Sequence, residues 1–333
     1  MAYSLSLLDK SPIPEGEAAA AALQRTVTLA QTAERLGYAR FWVAEHHGFP
    51  GLASSAPEVL LAFLAARTRS IRLGSGGVLL PHYSPYKVAE VFNLLATLAP
   101  GRIDLGIGRA PGGLPASTRA LRTLHASGRS RPFEDLLADL DAFLGGGAPA
   151  GEAAEARALP QPPAAPERFL LGGSPDSARL AGALGWSFVF AGQHNGDEKT
   201  IEDSFAAYVA AGGKAPPILA VTALAAPTPE EAHAVTEGLK MVRVTLEDGQ
   251  SVNLGTEEQA AEFARQAGAA SYRTEIRRPQ ILAGTAEQVR AEFERLRARF
   301  GVSEFVIDTP AAGPAKRLAS VLLLAGEAPA LAA

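Results

Sequence analysis

Eight short runs rich in β-branched residues and leucine are spread along the 333-residue chain, at 3–8, 40–45, 70–80, 102–108, 168–173, 187–192, 217–224 and 304–309. Most are separated by segments long enough for a helix that crosses back over a sheet. Helical patterns occupy 17–36, 57–67, 85–98, 132–143, 176–184, 197–211, 229–241, 285–299 and 314–324. In the first of these, Leu23, Val27, Ala30 and Ala33 recur at helical spacing and form one apolar stripe. Gly37 closes it, and Pro57 and Pro85 suit the first turns of the next two. Such alternation predicts an α/β fold with parallel strands inside and helices outside. A doubly wound open sheet would give the same local signals. The total of eight, with polar residues gathered just after the strands, favours closure into a (β/α)8 TIM barrel.

Two stretches fall outside this repeat, and a single barrel domain over 1–333 is expected to carry both as insertions. The segment 145–167 is poor in core-forming residues and reads as a long surface connection, with room for a short strand at 156–159. The segment 242–284 is too long for a simple loop. Much of it, especially 256–270, is expected to be helical, and the whole is a candidate lid over the strand ends.

Composition removes several classes of function. The chain has no cysteine, which excludes disulfides, Cys-ligated zinc and thiol catalysis. A formal net charge of −4 gives no general pull toward nucleic acid or an anionic membrane. Two tryptophans and six tyrosines without interleaved basic residues offer little for a nucleic-acid surface. No run approaches the roughly 18 uninterrupted apolar residues of a membrane helix. The opening MAYSLSLLDKSPIPEG has no basic start followed by an apolar run, so a cytoplasmic protein is expected.

Four strand ends carry chemistry. After the second strand come Glu45, His46 and His47. Neighbouring strand residues point in opposite directions, so only one histidine is expected to enter a pocket, where an imidazole can exchange a proton near neutral pH. A loop hydrogen bond is the plainer reading of either. The pair lacks HExxH spacing, and no HxH occurs, which argues against a metal. Gly74, Gly76 and Gly77 interrupt a strand-forming run. They suit either a flat ring lying against the strand or a bulge or tight barrel bend, and glycines alone leave both open. Arg109 ends the fourth strand, where it can grip a phosphate or form a surface salt bridge, while Asp104 inside that strand can pair within the core. In LLGGSPDSARLAGALG (170–185), Ser174 is a plausible N-cap with Pro175 at the first helical position and Ser177 in the first turn. With the amides that begin at Gly173, those hydroxyls make a monophosphate cradle, although capping alone also explains Ser174. The GxxxxGK[ST], GxGxxG and GxSxG motifs are absent.

Taken together, LDKSPIPEG, WVAEHHGFPGLASSAPEVLLA, IRLGSGGVLLPHYSPYKVAEVFNLL, GRIDLGIGRAPGG and the later GTAEQVRAEFERL (284–296) closely resemble the bacterial luciferase-like family of flavin-dependent oxidoreductases. The likeness spans nearly the whole chain, is strongest over 1–113, and lies nearer the non-luminescent oxidoreductase branch than the luciferases. It implies a (β/α)8 barrel binding flavin mononucleotide (FMN) or, in other branches, a deazaflavin. It implies His46 as the catalytic histidine of the oxygen-dependent steps, and Gly76-Gly77 as a non-prolyl cis peptide behind the flavin ring. Arg109, Gly173, Ser174 and Ser177 fall where the family holds the phosphate. Gly173 stands where luciferases have a glutamate and Gly192 where they have a tryptophan near the ring, with Gln193 and His194 able to reach that space. The expectation is a monooxygenase that takes reduced FMN from a separate flavin reductase, uses O2 on a small organic substrate, and forms a homodimer through the apolar helices near 57–67 and 88–98. The alternatives are hydride transfer by FMN or deazaflavin without oxygen insertion, a non-catalytic flavin-binding protein, and a metal-dependent barrel hydrolase.

Overall fold

All eight expected runs contain strands in the computed structural model, which describes residues 3–123, 131–150, 153–194, 196–310 and 313–327. The strands are β1 (Ser4–Asp9), β2 (Arg40–Val43), β3 (Arg72–Ser75), β4 (Val78–Leu79), β5 (Ile103–Gly108), β6 (Glu167–Gly172), β7 (Ser187–Ala191) and β8 (Ile218–Ala225). An insertion then carries β9 (Met241–Leu246), β10 (Ser251–Leu254) and β11 (Tyr272–Arg277), and the chain returns through β12 (Leu282–Gly284) to β13 (Glu304–Asp308). The parallel pairs run β1, β2, β3, β5, β6, β7, β8, β13 and back to β1. This is a closed eight-stranded parallel barrel, with Leu7 opposite Phe41 and Leu8 opposite Asp308 fixing the register across β1.

The helices follow the strands as α1 (Ala19–Arg35), α2 (Pro57–Ala65), α3 (Pro85–Leu98), α4 (Pro115–Leu121), α5 (Phe133–Leu144), α6 (Pro175–Leu184), α7 (Glu198–Ala210), α8 (Pro229–Thr236), α9 (Glu257–Ala267), α10 (Ala286–Phe300) and α11 (Pro314–Ala325). Strand alternation splits the core in two. Leu8, Trp42, Ala44, Phe169, Val189, Ala220 and Val306 fill the barrel interior. Their immediate neighbours, such as Leu7, Phe41, Val43, Leu170 and Phe305, face the helices in the larger outer core. Below the inner layer, Asp104 is fully buried and accepts hydrogen bonds from Trp42 Nε1 (2.9 Å), Arg40 Nη1 (3.0 Å) and Arg72 Nη2 (2.6 Å). Arg40 continues the network to Glu304 at 3.0 Å. This polar plug lies toward the amino ends of the strands, the face of such barrels that carries stability rather than chemistry.

Three local expectations need correction. Residues 153–166 contain no strand at 156–159. That turn is held instead by a hydrogen bond from the buried Asn93 Nδ2 to the Ala158 carbonyl (2.9 Å). The helix expected over 229–241 stops at Thr236, because Met241 begins β9. The inserted segment is helical only within 256–270, where α9 lies as expected; the rest is mainly a three-stranded antiparallel sheet, ordered β10-β9-β11, which α9 covers. Val242, Val244, Leu246, Leu254, Ala260, Phe263 and Ala264 form its separate core, against which Phe49 and Leu114 pack. Since Phe49 follows β2 and Leu114 follows β5, the insertion rests on loops at the carboxyl ends of the barrel strands. No helix among the described residues is long and apolar enough to cross a membrane.

Candidate active site

A cavity of about 400 Å³ opens at the carboxyl ends of the strands, within the range of small-molecule sites. The period-2 alternation of the strands decides what enters it. On β2, Trp42 and Ala44 point inward, so the next inward position is His46, which lines the cavity. Its backbone amide is fixed to the Ser54 carbonyl (2.9 Å), and Ser54 Oγ returns a bond to the Ala44 carbonyl (2.6 Å). The imidazole Nδ1 is buried and has no hydrogen-bond partner in the protein. Burial, then the positive charge of Lys10, pushes its pKa down to about 4, so the ring is neutral at pH 7.

His47 takes the opposite side, as alternation requires. Its Nε2 meets Glu45 Oε1 at 2.7 Å, and its amide donates to the Gly112 carbonyl at 2.8 Å. Glu45 is buried and also accepts from Tyr83 Oη (2.6 Å) and the Leu79 amide (3.0 Å). Burial and this carboxylate push the Tyr83 phenol up, so it stays a donor. The Glu45 carboxylate thus ties the loop after β2 to β4, and one cavity wall is rigid.

Gly76 and Gly77 line the same cavity and are joined by a cis peptide bond. Packing within the protein already favours glycine here. A Cβ on Gly76 would lie 2.6 Å from Leu8 Cδ1, and one on Gly77 would lie 2.7 Å from the Gly106 carbonyl oxygen. At Gly74 it would strike Asp104 Cβ and the Trp42 indole. Groups from other strands occupy the space these side chains would need. The expectation for Gly192 does need correction. It lines a separate hollow beside β8, and its missing Cβ would lie 2.6 Å from the Ala220 carbonyl. Gln193 and His194 are the residues of that segment that reach the His46 cavity, and Gln193 Oε1 is buried without a partner.

Arg109, Gly173, Ser174 and Ser177 come together on one side of the cavity. Ser174 caps α6, with Ser177 N to Ser174 Oγ at 3.4 Å and the two hydroxyls also 3.4 Å apart. Both contacts are long, which leaves the hydroxyls with capacity for a stronger acceptor. The Arg109 side chain is 53% exposed, lies over the Phe133 ring, and approaches its nearest carboxylate, Glu134, only to 3.7 Å. Asp176, in the first turn of α6, is exposed and paired with Arg179. A Cβ on Gly173 would meet nothing within 4 Å. A guanidinium held only by a long, exposed ion pair, two hydroxyls and a helix N-terminus around open space are the donor set of a phosphate monoester. On other sides of the cavity, orphaned His46 Nδ1 and Gln193 Oε1 call for a polar ligand.

Residue-by-residue sequence reading missed Lys10 and Asp308. Lys10 lines the cavity and donates to Asp308 Oδ2 at 2.6 Å. Leu8 and Val306 point into the barrel, so the residues two positions on, Lys10 and Asp308, share their side. That alternation was the available signal. Among the described residues, no three His, Asp or Glu side chains gather as metal ligands.

A family model described as luciferase-like monooxygenase matches residues 3–304. The chain belongs to the bacterial luciferase-like family of flavin-dependent monooxygenases. Within that family, it is 46% identical over 324 residues to an N-acetyl-S-alkylcysteine monooxygenase of Bacillus subtilis (strain 168), covering 96% of each chain. Among solved structures it is similar to apo-MsnO8, with a TM-score of 0.77, 33% identity and coverage of 97% of this chain and 96% of the other. It shares its fold with the oxygenating constituent of 3,6-diketocamphane monooxygenase from a Pseudomonas putida plasmid, solved with FMN, at a TM-score of 0.73, 19% identity and 98% coverage of both chains.

Proposed function

We propose that this luciferase-like protein is the oxygenating component of a two-component monooxygenase. It takes reduced FMN from a separate flavin reductase and uses O2 to oxygenate a small organic molecule. The observation that carries this reading is the convergence of Arg109, Ser174 and Ser177 on the cavity that also holds a neutral His46. Bound reduced FMN supplies the electrons with which one oxygen atom of O2 enters the substrate and the other leaves as water.

The residues then have distinct tasks. Arg109, both serine hydroxyls and the Gly173–Ser177 amides would hold the phosphate, and Gly76-Gly77 line the same cavity. The His46 ring, neutral at pH 7 and with no protein partner at Nδ1, is placed to exchange a proton beside the reacting centre. The sheet and helix within 242–284 close over the strand ends and keep water out. The name of the 46%-identical relative makes an N-acylated S-alkylcysteine the first substrate to try. Val59 and Phe63 on α2 and Leu94 and Leu98 on α3 are exposed one helical turn apart, which supports a homodimer through these helices.

The test is anaerobic loading with reduced FMN, then ¹⁸O2 and N-acetyl-S-methylcysteine as probe. Incorporation of one ¹⁸O atom into product, abolished in His46→Ala while FMN still binds, is expected. Product formed without oxygen would move the reaction to hydride transfer, and hydrogen peroxide alone with every thioether tried would remove the oxygenase reading.

A further inference from the structure

The cavity has a second cationic pole. In the closed strand order, β6 stands four places from β1 in either direction, directly across the barrel mouth. The phosphate donors follow β5 and β6, whereas Lys10 follows β1 on the opposite wall. Its ammonium has three N–H donors, and Asp308 Oδ2, at 2.6 Å, takes one of them. The Asp308 side chain is 10% exposed, whereas the Lys10 side chain is 29% exposed and borders the cavity. An ion pair that merely tied β1 to β13 would have no need to open there. The Lys10 charge also acts on His46, so ammonium and imidazole share one end of the site.

We infer that Lys10 is the anchor for a carboxylate on the substrate, held in place by Asp308, so that the protein acts on small organic acids rather than on neutral molecules. The inference takes its reaction from the monooxygenase reading, but its binding claim stands apart from it. An acid docked on Lys10 presents the rest of its chain toward the cavity centre and His46, between the two cationic poles. Asp308 keeps the ammonium pointed at that position and leaves donors free for the substrate.

The test compares N-acetyl-S-methylcysteine with its carboxamide, which differ only in the charged group. The wild-type protein, loaded with FMN, should bind the acid about 10- to 100-fold more tightly, the span of one charge-assisted hydrogen bond. Lys10→Met should remove that preference through KM for the acid, with the dissociation constant of FMN unchanged within about twofold. Lys10→Met leaves Asp308 unpaired, so the double variant Lys10→Met/Asp308→Asn is measured beside it and should behave alike. Preferential binding of the acid without oxygenation would leave the anchor standing and remove the thioether oxygenase reading. Equal binding, or none, of the two probes by the wild-type protein overturns the proposal. So does a Lys10→Met effect that falls on FMN instead, which would place the lysine against the far end of the flavin.

Discussion

Replacement of His46 by leucine should flatten the acid sensitivity of folding. The imidazole has an ordinary pKa of 6.5 and is lowered to about 4 in the folded protein, first by burial and then by Lys10. The unfolded chain therefore binds the proton more readily, and as pH falls through 6.5 it gains stability relative to the native state. The contribution of this site is complete above pH 6.5 and is lost progressively between 6.5 and 4. At pH 4.5, the linkage relation with these two values gives about 2.5 kcal/mol. Carboxylates titrate in the same window, so the comparison is between proteins. Urea unfolding of the wild type and His46→Leu at pH 7.5 and 4.5 should show a loss smaller in the variant by about 2 to 3 kcal/mol. Leucine is close in volume, and Nδ1 has no partner to lose. Histidine proton resonances followed by NMR should place the wild-type midpoint near 4. Parallel losses in the two proteins, or a midpoint near 6.5, would refute the burial reasoning.

Three further outcomes are expected. Arg109→Gln should weaken FMN binding about tenfold and leave riboflavin, which lacks the phosphate, unaffected in fluorescence titration; equal weakening of both would show that the arginine does not read the phosphate. Gly106→Ala should cost several kcal/mol or prevent folding, since its Cβ would lie 2.1 Å from the Ser75 carbonyl oxygen, whereas Gly173→Ala meets nothing within 4 Å and should melt within about 2 °C of the wild type. Leu98→Glu together with Phe63→Glu should shift the protein from dimer to monomer by light scattering, and a wild type that is monomeric at micromolar concentration would refute that face as an interface.

The barrel was legible because each strand is buried on both faces, which makes its signal strong and continuous. The insertion was not, for a reason visible in its strands. The β9 sequence MVRVTL alternates cleanly, with Val242, Val244 and Leu246 buried, but all six residues of β11, YRTEIR, are exposed. A strand that packs nothing leaves no hydrophobic period to read, and its partner then resembles an isolated apolar run at the end of a helix.

Glycines and charges at the strand ends divide differently. That Gly74, Gly76 and Gly77 had to be glycine could be read from their cost inside a strand. What excluded the side chain could not, because Trp42, Leu8 and Gly106 belong to other strands. His46 could be chosen over His47 in principle, since Trp42, Ala44 and His46 share one side of a single strand. Lys10 obeys the same rule on β1, but its partner Asp308 is 298 positions away, and only the register of Leu8 with Asp308 brings them together. Alternation thus identifies which side chains enter the mouth of a barrel, and the order of the strands decides which of them face each other across it. Arg109 and Lys10 look alike as cations after strands. They become two poles of one site, fit for a ligand anionic at one end and a substrate anionic at the other, only when β5 and β6 are placed opposite β1 and β13.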